Sequence, residues 1–112
     1  SRRARYVIFQ NCIDELMQKS LISPQGGLVD YDSILMLGDS HIPTFKYSQE
    51  LLKAVDLADG FSGRVLRRLP FLAHVHHNQQ PPVSLDEFLT ALCDVCIQER
   101  TATQMSNEAR EP

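Results

Sequence analysis

Apolar residues recur along most of this chain at the spacing of a helix. In residues 2–20, Tyr6, Phe9, Ile13 and Leu16 repeat at steps of three and four, flanked by Cys12 and Met17, while Asp14, Glu15, Gln18 and Lys19 fill the other face. Pro24 and the Gly26-Gly27 pair that follows end this first helix. The stretch from Val29 to Leu37 is short and apolar, and periodicity alone does not separate strand from helix there. A short helix is favoured, with Asp32 as cap and Gly38 as stop, followed by His41-Ile42-Pro43 as an extended connector. Residues 46–58 predict a third helix, with Ser48 as N-cap and Leu51, Leu52, Val55 and Leu57 as its apolar side. Asp59-Gly60 end it.

The second half is more sharply punctuated. Residues 62–77 predict a fourth helix capped by Ser62, with Val65, Leu66, Leu69, Leu72 and Ala73 as a buried stripe. Pro70 falls inside and is expected to kink or split it. After a polar, proline-ended loop, Ser84-Leu85-Asp86-Glu87 is a capping box, and Val83 with Phe88 forms a hydrophobic staple. Leu85, Phe88, Leu89, Leu92, Val95 and Cys96 then share a face. From Thr101 the residues turn polar and predict a frayed tail over 101–112. The expected architecture is all-α: one small bundle of four to five helices over residues 1–100.

Composition narrows the function. With 112 residues the chain can bury one core, and 43% hydrophobic residues argue against disorder. A net charge of -3 gives no bulk attraction to nucleic acid or to an anionic membrane, although arginines cluster at Arg2, Arg3, Arg5 and at Arg64, Arg67, Arg68. No apolar run reaches the roughly 20 residues that cross a bilayer, and no signal peptide is expected. Three cysteines, an odd number, suit reduced thiols in the cytosol or nucleus. A start at Ser1 rather than Met reads as a fragment, a processed form or an incomplete gene model.

The most informative segment is Gly60-Phe61-Ser62-Gly63-Arg64. A helix start exposes backbone amides and the positive end of the dipole, which suits an anion. Gly63 permits close approach, and the forked Arg64 guanidinium matches a phosphate. An arginine there also opposes its own helix dipole, which a bound anion would relieve. The alternative is a solvated basic face on an ordinary amphipathic helix. Cys93 and Cys96 have metal-type spacing, with His74, His76 and His77 upstream. Position i and i+3 on an amphipathic helix explains them as core thiols without zinc, so no metal site is assigned. The histidines read as surface residues at a helix end, favoured by its dipole. No GxxxxGK[ST] loop and no acidic cluster suited to magnesium is present.

The run Gly60 to His74, GFSGRVLRRLPFLAH, resembles the C-terminal lid of AAA+ ATPases of the pachytene checkpoint protein 2 family, also called thyroid hormone receptor interactor 13. Tyr6, Cys12, Glu15 and Leu16 are similar to that family's first lid helix, and Pro82 through Leu89 to its last. The resemblance is weak in residues 20–58 and after Arg100. It implies that Arg64 takes the catalytic sensor-2 role, with Ser62, Gly63 and Arg64 as the lid's cofactor-binding face toward ATP. It also implies a hexamer that opens HORMA-domain proteins, with their adaptor, in meiosis and the spindle checkpoint, in the nucleus and also the cytoplasm. Mg and most of the nucleotide would be held by a large ATPase subdomain, whose Walker A and Walker B residues would precede Ser1. This chain alone is therefore expected to be inactive. The alternative reading is a non-catalytic helical interaction module without nucleotide contact. A nucleic-acid-binding reading of the Arg64, Arg67, Arg68 patch is disfavoured by the acidic balance.

Overall fold

The computed structural model describes residues 1–23, 27–37, 43–76 and 82–110. Five helices follow in order: α1 (Arg2–Gln18), α2 (Tyr31–Leu37), α3 (Pro43–Leu57), α4 (Gly63–His76) and α5 (Leu85–Arg110). The all-α expectation holds. Between Leu21 and Ser23, one parallel backbone bridge pairs Ile22 with Val83, through bonds from Ser23 N to Val83 O at 2.8 Å and from Val83 N to Leu21 O at 3.1 Å.

The ends of the helices show why they form where they do. Ser1 caps α1 by accepting from the Ala4 amide at 3.2 Å. At the other end Ser20 N donates to Met17 O and Leu21 N to Leu16 O, a Schellman closure with Ser20 at φ 61° in the left-handed region. For α2, Asp30 rather than Asp32 is the cap: its carboxylate accepts from Ser33 N at 2.8 Å, while Asp32 pairs with Arg3. Helix α3 starts at Pro43, a residue preorganised for a first helical position, and not near Ser48. Gly38, His41 and Ile42 lie outside the described residues.

Ser48 is the clearest correction. It is fully buried inside α3, and its hydroxyl accepts from Val29 N at 2.9 Å. Tyr6 on α1 donates its hydroxyl to Val29 O. Both backbone polar groups of the partly buried Val29 are thus satisfied by side chains.

The core comes from the expected stripes. Tyr6, Phe9 and Ile13 of α1, Leu51 and Val55 of α3, Leu66, Leu69 and Ala73 of α4, and Leu85, Phe88, Leu89, Leu92, Val95 and Cys96 of α5 are all buried. Pro70 is buried too, and α4 runs through it as one helix. Among the described residues α1 packs on α3 and α4, and α5 packs on the same two, while α3 does not pack on α4 nor α1 on α5. The four long helices therefore form a ring in the order α1, α3, α5, α4, with α3 and α4 on a diagonal. Helix α5 continues past Arg100 to Arg110, so the polar stretch expected to fray after residue 100 is helical that far, with exposed side chains over 101–106.

Candidate functional site at the start of α4

The turn from α3 to α4 crosses one end of this ring. Its bend is at Gly60, whose φ of 86° is a conformation glycine takes without strain. Phe61 N donates back to Ala58 O at 3.1 Å, and Ser62 then opens α4. Ser62 Oγ accepts from Val65 N at 3.2 Å and its carbonyl accepts from Leu66 N at 2.9 Å, which is the expected N-cap. The amides of Gly63 and Arg64 find no acceptor among the described residues. They point along the positive end of a helix with no acidic residue in its first turn.

The three arginines that the sequence groups together are separated by the structure. Arg68 pairs with Glu99 of α5 at 3.0 Å. Arg67 folds back toward the helix start, so that a Cβ built on Gly63 would meet its Nη1 at 3.1 Å. It also lines an open cleft between α1 and α4 with Cys12, Glu15 and Lys19. Arg64 is exposed and has no acidic partner among the described residues. Arg67 is exposed too and has no ion-pair partner among the described residues; what sets Arg64 apart is its place in the first turn, beside two unfilled amides. Fitted against a phosphate, these residues supply one wall: two N–H donors and one forked cation, with no acidic residue in the first turn of α4.

The other candidates separate as clearly. Burial pushes the Cys96 thiol up to about 12, and burial raises Cys12 and Cys93 as well, the latter also facing Glu50. Such thiols stay protonated near neutrality and are poor nucleophiles. Among the described residues no three His, Cys, Asp or Glu side chains gather as a metal site. His74 is half-buried rather than a surface residue, and its Nδ1 has no hydrogen-bond partner among the described residues. The side chain of His76, and His77 altogether, lie outside the described residues. No described helix is long and apolar enough to cross a membrane.

Sequence reasoning missed Arg5 and Arg100, both of which grip the turn. Arg5 of α1 donates to Val55 O at 2.9 Å, and Arg100 of α5 donates to Leu57 O at 2.8 and 3.0 Å. Their partners lie 50 and 43 residues away, beyond any local signal.

A small all-α ring of this kind is consistent with the lid of a AAA+ ATPase. The structure of C. elegans PCH-2 matches this fold with a TM-score of 0.63 and 24% identity, over 91% of this chain and 26% of that one. Residues 1–100 match the family described as TRIP13-like, AAA+ ATPase lid C-terminal domain, and the chain belongs to that family. The pachytene checkpoint protein 2 homologs of Xenopus tropicalis and Homo sapiens are each 38% identical to it over 92 residues. Those residues are 82% of this chain and 21% of each relative, so the aligned segment spans about a fifth of the relatives' length.

Proposed function

We propose that this chain is the moving lid of a hexameric AAA+ ATPase that remodels HORMA-domain proteins, and that Arg64 contacts the phosphates of bound ATP as its sensor-2 residue. The observation that carries the reading is Arg64 itself: exposed, without an acidic partner among the described residues, and beside the unfilled amides of Gly63 and Arg64 in a chain of this lid family. ATP, with Mg held mainly by the large ATPase subdomain, supplies the phosphoryl group whose transfer to water drives the work.

The lid's own residues do three things. Ser62 caps α4 and so fixes the direction of the Gly63 and Arg64 N–H groups. Gly63 keeps the backbone approachable. Arg64 adds a full positive charge where the helix end carries a partial one, and a bound anion offsets the repulsion between the two. Loss of the terminal phosphate weakens this contact, and the lid rotates to a new balance of contacts. The partners are the protein's own large ATPase subdomain, neighbouring subunits, and HORMA-domain proteins with their adaptor, in the nucleus and the cytoplasm.

The test is Arg64→Ala in the full-length protein. ATP turnover is expected to fall roughly tenfold to a hundredfold, the scale of losing one preorganised charge donor. Far-ultraviolet circular dichroism should be unchanged. Normal turnover would remove the sensor-2 role.

A further inference from the structure

Gly60 is the bend residue, and the space beside its Cα is open: a Cβ there would meet nothing within 4 Å. The turn is closed locally by Phe61 N donating to Ala58 O at 3.1 Å, and Phe61 packs partly against the core. Side chains that reach across the bend add to that closure and set how Phe61 and Ser62 sit relative to α3.

Arg5 holds only the α3 side of the bend. Its Nε donates to Val55 O at 2.9 Å, and Nη1 lies 3.2 Å from the Asp59 carboxylate, with the side chain 11% exposed. Arg100 holds both sides. Its Nε and Nη2 donate to Leu57 O at 3.0 and 2.8 Å, and Nη2 also reaches Asp59 O. Beyond Gly60, the same guanidinium stacks on the Phe61 ring, its central carbon 5.0 Å from the ring centroid. The chemistry suits the place. The last carbonyls of α3 have no intrahelical donors and carry the negative end of the dipole. A planar fork can serve two carbonyls and an aromatic face at once, which an ammonium cannot.

We propose that Arg100, far along α5, is a positioning residue for Arg64: by clamping Leu57 and Asp59 on one side of Gly60 and Phe61 on the other, it sets the direction in which the start of α4 presents its arginine. The inference rests on the phosphate-contact reading of Arg64 for its catalytic consequence, but the clamp can be measured without it. Arg68 to Glu99, one residue earlier, ties α4 to the same stretch of α5, so α5 holds the site from both the turn and the helix.

The experiment is a double-mutant cycle in the full-length protein, with Arg64→Ala, Arg100→Ala, Arg100→Lys and Arg64→Ala/Arg100→Ala. Steady-state ATP turnover is measured for each, and hydrogen exchange is followed over residues 57–66. Arg100→Ala is expected to lower kcat about tenfold, as misdirection of a charged group does, with the unfolding midpoint of the lid little changed. The double variant should be no slower than Arg64→Ala alone, and Arg100→Lys should remain impaired. Exchange at Phe61 to Val65 should quicken in both Arg100 variants. Losses that multiply in the double variant would overturn the proposal, because Arg100 would then act apart from Arg64. Unchanged exchange at the turn would overturn it as well. Normal turnover in Arg64→Ala would sink the phosphate reading instead, and exchange at the turn would still decide whether Arg100 is a clamp.

Discussion

Cys96 lies fully buried on α5, and burial pushes its thiol from an ordinary 9.0 up to about 12. In the unfolded chain the thiol loses its proton first, so between those values the unfolded state is the one stabilised by rising pH. Stability is fully present below about pH 9 and falls toward pH 12 by about 1.4 kcal/mol per pH unit from this group. Tyr6, also raised by burial, adds to the loss above its ordinary value of 10.0. Cys96→Ala should flatten the alkaline limb of a urea-unfolding series between pH 9 and 11; an unchanged slope would show that the thiol is not the titrating group. The sequence marked Cys96 as core from its spacing alone. It misread Ser48, because a serine just before an apolar run looks like a cap, and only the folded chain brings Val29 to its hydroxyl.

Helix boundaries were legible where the signal is local. Ser62 and Ser84 each accept from the amide three residues on, at 3.2 and 3.1 Å, as their sequence contexts predict. The cap of α2 shifted by two residues because Asp30 and Asp32 are equally good acceptors, and the Arg3 guanidinium engages Asp32. Pro70 did not split α4: its ring is buried, and a proline there withholds the amide that the Leu66 carbonyl, one turn earlier, would ordinarily receive. The C-terminus of α1 shows the cost of an imperfect stop. Ser20 holds φ 61°, where a Cβ is crowded and glycine is not. Ser20→Gly is expected to raise stability by about 1 kcal/mol in chemical denaturation, with an unchanged denaturant slope.

At the scale of the molecule, the nucleotide-facing candidate Ser62-Gly63-Arg64 stood out in the sequence as a helix start and, by resemblance, as a phosphate contact. The residues that hold it did not. Arg5 and Arg100 look like ordinary surface arginines in the sequence, and their role exists only because the ring brings the start of α1 and the middle of α5 to the same end as the α3–α4 turn. The polar composition after Arg100 hid a helix for a related reason: apolar periodicity detects burial, and the exposed turns over 101–106 have none to report.

The ring order also dictates how the domain comes into being on the ribosome. Helix α3 packs on α1, but α4 finds no partner in α3, the element made just before it. Part of its apolar stripe, and the open side of α3, wait for α5, the last of these five helices to be synthesised. A nascent chain ending before Ser84 therefore holds Leu66, Leu69 and Val55 partly exposed, and the domain closes in one late step when α5 clears the exit tunnel. A fragment ending at Val83 should show residual helix by circular dichroism but no cooperative thermal transition, whereas the chain that includes α5 unfolds cooperatively. A sharp transition in the fragment would mean that α1, α3 and α4 make a core of their own.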